Sequence, residues 1–170
     1  MKRLIVVTVV LSLLMSNVVL ASPFLKTDRR GMFEESILLD ENETSSMGVS
    51  TPNTRGEYFS TGILKLTNQG NGDIYILIET LAYQNVDAIY HTVFLDQWDG
   101  NRWVQIDSWE LGVTKDEVEG GELSDASDSL TLSGYETNKY YRARGLHIVQ
   151  YNGISEGCST QTEGVLITNH

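Results

Sequence analysis

From Thr61 onward, apolar residues recur at alternate positions in short runs, and glycine, asparagine and aspartate separate the runs. A period of two sends successive side chains to opposite faces of an extended strand, so the pattern predicts an all-β domain. Thr61–Asn68 is the first run and Ile74–Tyr83 the second, joined across Gln69-Gly70-Asn71-Gly72-Asp73, a glycine-driven turn. In the second run Ile74, Ile76, Ile78, Thr80 and Ala82 share one face, while Tyr75, Leu77, Leu81 and Tyr83 share the other. Apolar groups on both faces predict a central strand. No helical pattern comes after the glycines at 70 and 72, which removes a phosphate-binding loop from consideration.

Ile89–Trp98 and Trp103–Leu111 flank Asp99-Gly100-Asn101-Arg102, a hairpin signal. An even loop pairs Trp98 with Trp103, Asp96 with Gln105, Phe94 with Asp107 and Thr92 with Trp109 on one face. The opposite face then carries Gln97 with Val104, Leu95 with Ile106 and Val93 with Ser108, and this second set is the natural core. An odd loop or a bulge would break this assignment. Gly112–Asp128 reads as an acidic, glycine-bearing loop, and Ser129–Ser133 resumes as a strand.

The stretch Leu130–Glu156 organises the C-terminal half. In Lys139–Gln150, Tyr141, Ala143, Gly145, His147 and Val149 alternate with Tyr140, Arg142, Arg144, Leu146 and Ile148. Two arginines on one face turn the Tyr141 side inward. Tyr151-Asn152-Gly153 supplies a turn, Ile154 starts the returning strand, and Thr160–Ile167 closes the sheet. The count is about seven strands in an antiparallel β-sandwich.

This arrangement, a leucine-bearing strand followed by a Tyr-x-Ala-Arg strand, an Asn-Gly turn and a Ser-bearing last strand, resembles the end of an immunoglobulin-like or fibronectin type III sandwich. More specifically, Tyr140-Tyr141-Arg142-Ala143-Arg144-Gly145 with His147, Asn152-Gly153, Glu156 and Glu163-Gly164-Val165-Leu166-Ile167 is similar to a family of short secreted proteins of Gram-positive bacteria, mostly Firmicutes, catalogued as a domain of unknown function. The resemblance covers roughly Thr61 to Thr168. It implies an exported sandwich and no particular activity.

Ahead of the domain, Met1-Lys2-Arg3 precedes an apolar run from Leu4 to Leu20, and Val19-Leu20-Ala21 has the small-residue pattern of a signal peptidase site. Residues 1–21 are therefore expected to be a signal peptide, with Ser22 first in the mature chain. An uncleaved anchor is the competing reading, disfavoured by the short run and the good cleavage site. No cysteine stands at that site, and Thr168-Asn169-His170 carries no apolar tail, so a released, extracellular protein is expected. Removing 21 of the 170 residues leaves 149, and the loss of two cations takes the net charge from −11 to −13. Such a charge disfavours nucleic acid and anionic membranes as partners.

Residues 22–57 are rich in Glu, Asp, Ser, Thr and Asn and read as a flexible acidic arm, a propeptide, or a partly docked leader with a helical turn from Phe33 to Leu39. The β-sandwich domain is placed at 58–170. Asn42-Glu43-Thr44 matches a glycosylation acceptor, an accidental match in a bacterial protein.

Candidate chemistry is sparse. The hairpin face with Phe94, Trp98, Trp103 and Trp109, interleaved with Asp96, Gln105 and Asp107, suits a sugar-binding surface, because sugar rings stack on aromatics and hydroxyls seek carboxylates and amides. Arg142 and Arg144 could instead lie over the same aromatics as a cation–π ladder without any ligand. The carboxylates of Asp116, Glu117, Glu119, Glu122, Asp125 and Asp128 could hold calcium, yet their spacing matches no calcium loop. The single cysteine, Cys158, excludes an internal disulfide and reads as a small packed residue. Of the histidines 91, 147 and 170, only His147 has a nucleophile within reach, Cys158 on the adjacent predicted strand, and packing across a hairpin is the favoured reading of that pair. No metal, cofactor or catalytic motif is expected. The sequence points to a secreted, non-catalytic binding module for a glycan or protein, with an effector or inhibitor acting on a protein partner as the alternative and a hydrolase as a third reading.

Overall fold

The computed structural model describes residues 36–51 and 56–169. The expected signal peptide and residues 22–35 of the expected arm lie outside them. The strands are β1 (Ser45–Ser50), β2 (Phe59–Asn68), β3 (Ile74–Ala82), β4 (Ala88–Trp98), β5 (Trp103–Thr114), β6 (Asp125–Leu132), β7 (Lys139–Tyr151), β8 (Ile154–Gln161) and β9 (Val165–Ile167). They form two antiparallel sheets. One has the order β1-β2-β3-β6, and the other β5-β4-β7-β8 with β9 also paired to β7.

Nine strands among the described residues replace the seven expected. One addition is β1, whose sequence SSMGVS lies inside the segment expected to be an arm. Its only apolar side chains, Met47 and Val49, share one exposed face, too short a pattern to mark a strand, and it is extended because it pairs with β2, Ser45 opposite Thr67 through Ser50 opposite Gly62. The second comes from the closing strand. Its first part, β8, runs along β7 from Tyr151 to Arg144, and after a break at residues 162–164 β9 resumes pairing at Tyr141. Thr162 fills that break by accepting the Ala143 amide on its hydroxyl and donating its own amide to the Ala143 carbonyl.

The turns follow the sequence closely. Asn152 and Gly153 take φ of 49° and 77°, the left-handed pair that an Asn-Gly hairpin turn requires. Strands β5 and β6 each extend into the region expected as a loop, leaving two short 3-10 turns, Lys115–Glu117 and Glu119–Gly121, between them. Lys115 is held there by an ion pair to Asp87, 2.6 Å.

The inward residues predicted on β7 are inward: Tyr141, Ala143, His147 and Val149 are fully buried. The interior divides into two apolar clusters. One gathers Leu64, Leu66, Ile74, Ile76, Ile78, Val93, Leu95, Tyr141 and Ala143, and the other Phe59, Val86, Ile89, Leu123, Ala126 and Val149. Between them lies one polar rung. On β3 it is Thr80, between Ile78 and Ala82; on β4 it is His91, between Ile89 and Val93; on β7 it is His147, before Val149. Each buried aliphatic side chain stabilises the fold by about 1.5–3 kcal/mol, so the clusters dominate stability and the rung must be satisfied internally to be tolerated.

Candidate functional site

The hairpin β4–β5 begins as predicted, with Trp98 opposite Trp103, Gln97 opposite Val104 and Asp96 opposite Gln105. A bulge then intervenes, so that Leu95 faces Asp107, Phe94 faces Ser108 and Val93 faces Trp109, with Ile106 unmatched. The extra residue reverses every side chain beyond it. Trp109 therefore joins the inner side and packs against the first apolar cluster. Ile106, expected in the core, is 40% exposed. The three tryptophans do not share a face.

What remains on the outer face of β4, β5 and β7 is Phe94, Asp96, Trp98, Trp103, Gln105, Arg142 and Arg144. Strand β7 pairs with β4 so that Arg142 stands opposite Asp96 and Arg144 opposite Phe94. Asp96 Oδ2 accepts from Arg142 Nε at 2.9 Å and from Arg144 Nε at 2.7 Å, while Oδ1 accepts from Arg144 Nη2 at 2.8 Å. Arg144 Nη2 also donates to Gln105 Oε1, 2.9 Å. One buried carboxylate thus holds two guanidiniums flat. Each then covers an aromatic ring, Arg142 over Trp103 at 4.8 Å and Arg144 over Phe94 at 4.9 Å. Trp98 meets Trp103 edge to face at 5.3 Å.

Residues Ser36–Leu39 cover part of this face as an extended strap, which fits the docked-leader alternative without the helical turn that it placed at Phe33–Leu39; residues 33–35 of that turn lie outside the described residues. Leu38 bridges to Gly164 in parallel, with Leu39 N donating to Gly164 O and Gly164 N to Ile37 O. Ser36 donates to Thr162 O and accepts from Arg142 Nη1 on its hydroxyl, and its carbonyl accepts the Trp103 indole N–H. Gly164 permits the contact: a Cβ there would stand 2.7 Å from the Trp103 ring and 3.1 Å from Leu38. The aromatic–arginine ladder is present, then, and Trp98 and Trp103 stay partly open at its hairpin end.

The polar rung is the second constellation. His91 Nδ1 lies 2.8 Å from Asp128 Oδ2, and His91 Nε2 lies 2.8 Å from Thr80 Oγ1. Thr80 Oγ1 lies 2.9 Å from His147 Nδ1, and His147 Nε2 lies 2.7 Å from Thr160 Oγ1. One proton arrangement satisfies all four bonds with neutral imidazoles. His91 Nδ1–H donates to Asp128, the Thr80 hydroxyl to His91, His147 Nδ1–H to Thr80, and the Thr160 hydroxyl to His147. Burial depresses both imidazoles, His147 to about 3, where neighbouring His91 adds to the effect and a bond to the Glu79 backbone opposes it; the Asp128 carboxylate opposes the shift in His91. Asp128, His91 and Thr80 stand in the order of an acid–base–hydroxyl triad. Thr80 has no exposure and its oxygen already accepts from His147, so no substrate reaches it.

His147 and Cys158 are in register on β7 and β8, as the sequence suggested. Burial pushes the thiol up to about 11, the opposite of an activated nucleophile. Both crowd β2, where a Cβ on Gly62 would lie 2.8 Å from the His147 ring and 2.9 Å from Cys158 Sγ. This pair is packing. The acidic turn likewise disperses: Glu117 accepts the amide and hydroxyl of Thr114, and among the described residues no three His, Cys, Asp or Glu side chains are placed to hold a metal.

Residues 35–165 match the family described as "Family of unknown function (DUF6147)". The chain belongs to that family. No curated protein and no solved structure matches it. The matched span begins at Glu35, so the family's shared domain takes in the strap and β1, both of which lie in the segment read from composition as an arm.

The sequence places Asp96 among the aromatics but not under both arginines, because that needs β4 beside β7. Ser36 carries no signal at all. The rung is half visible: Thr80 interrupts an otherwise apolar face, and His147 sits on an inward one.

Proposed function

We propose that this member of the family is an exported, non-catalytic binding module, and that its ligand is an extracellular glycan seated on Trp98 and Trp103. The observation that carries this reading is the edge-to-face indole pair at the open end of the hairpin, where Arg142, paired with Asp96, lies over Trp103 and Trp98 stays partly open. Rigid aromatics with an exposed amide beside them, Gln105, present a stacking plane and hydrogen-bonding groups at little ordering cost. A charge of −11 favours such an uncharged ligand over anionic surfaces.

Co-sedimentation of the protein with bacterial cell walls and a panel of insoluble polysaccharides, at two salt concentrations, tests it. Retention that is insensitive to salt and lost in Trp98→Ala is the expected result. Retention unchanged in that variant would move the site elsewhere. No retention on any polysaccharide would replace the glycan with a protein partner sought by pull-down, and product release on any of them would make the protein a hydrolase.

A further inference from the structure

The outer face of the four-stranded sheet carries an apolar strip, on a different sheet from the indole pair. In one row β1, β2, β3 and β6 present Met47, Lys65, Leu77 and Ser129, and in the next Val49, Ile63, Glu79 and Ser127. Met47 is 62% and Val49 56% exposed, and Leu81, one row further on, is 36% exposed. Among the described residues no third layer covers this face, since the other sheet lies against its inner side.

We propose that this face is a homodimer interface, and that its occupant is the same face of a second copy. Charge selects that occupant. In a chain of net charge −11 two copies repel over most of their surface, whereas the centre of this face carries one cation and one anion. Neither Lys65 nor Glu79 enters a salt bridge with the described residues. Their placement is self-complementary. Ile63 pairs with Glu79 and Lys65 with Leu77, so the four occupy the corners of a near-rectangle with the charges on one diagonal and the aliphatic groups on the other. A two-fold axis lying between the copies along the Ile63–Leu77 diagonal sets each Lys65 over the partner copy's Glu79. The same axis stacks Ile63 on Ile63 and Leu77 on Leu77, as an isologous contact requires. Four strands by three rows span roughly 20 Å by 15 Å, below the size of standard stable interfaces, so the association is weak.

Sedimentation velocity and light scattering from about 1 µM to about 1 mM test this on the purified protein. A monomer–dimer equilibrium with a midpoint of about 10–100 µM is expected. Met47→Glu with Val49→Glu, both at exposed positions, is expected to raise the midpoint at least about tenfold, as is Lys65→Glu alone. Lys65→Glu with Glu79→Lys restores the dimer, which a variant that merely loosened the fold would not do. A monomer at every concentration overturns the proposal, whether the face is covered by residues 22–35 or open to solvent. So does a dimer whose midpoint is unmoved by Met47→Glu and Val49→Glu, or a charge-exchanged variant that stays monomeric.

Discussion

Strands β4 and β7 carry two buried polar networks back to back. On the inner face His91 and His147 stand opposite each other and are joined through Thr80; on the outer face Asp96 stands opposite Arg142 and binds Arg144 as well. The inner network is neutral, a line of hydroxyls and imidazoles that meets a carboxylate only where Asp128, its side chain 34% exposed, reaches the surface. The outer one is ionic, with side chains 2% exposed at Asp96, 11% at Arg142 and 12% at Arg144. The contrast is one of depth. Between two apolar clusters an unbalanced charge is too costly, so groups that can be neutral at pH 7 are used there. At the outer face the guanidinium rims stay near water while their planes lie on Trp103 and Phe94.

Four measurements bear on this contrast. Asp96→Asn removes the single carboxylate from two nearly buried cations and is expected to lower stability by about 3–5 kcal/mol in urea unfolding. A loss below about 1 kcal/mol would mean that the ionic network is no more than a surface pair.

Acid should act first on the inner network. His147 is near 3 in the fold and near 6.5 when unfolded, so between these values the unfolded chain binds the proton that the fold refuses. Its contribution is complete above pH 6.5 and falls as pH drops, by about 3 kcal/mol at pH 4, with His91 adding in the same direction. Denaturant midpoints measured from pH 7.5 to pH 4 check this, and a flat profile from pH 7 to pH 5 would contradict the neutral rung.

Thr80→Val keeps the shape but leaves His91 Nε2 without a donor and His147 Nδ1–H without that acceptor, at an expected cost of about 2–3 kcal/mol. Thr80→Ser, which keeps the hydroxyl, should cost about 1 kcal/mol. Equal losses would assign the position to packing alone. The smallest effect is expected for Trp98→Ala, about 1 kcal/mol from the lost ring pair, alongside the loss of ligand retention. A much larger loss of stability would make Trp98 part of the framework and not of the binding surface.

How much of this was legible depends on the range of the interactions. The alternation in Lys139–Gln150 placed five residues inward because a strand has only two faces. Asn152-Gly153 fixed its turn because few residue pairs adopt positive φ twice. The face of Trp109 was not legible, since a single extra residue at Ile106 reverses the later side chains of β5 and nothing local announces it. Strand β1 offers only Met47 and Val49 as a local pattern and owes its extension to β2, and the sequence leaves the ladder as one of two options because it depends on β4 lying beside β7.

Alternation, turn chemistry and composition by themselves determined an all-β antiparallel sandwich, the inward side of β7, and the pairing of Trp98 with Trp103, all consequences of backbone geometry within a strand or across one turn. The tertiary structure alone decided that Asp96 holds two arginines, that Thr80 links two histidines separated by 56 residues, and that Ser36 closes over Trp103. Those contacts join residues far apart in the chain, and it is the order of the strands in the two sheets that brings them together.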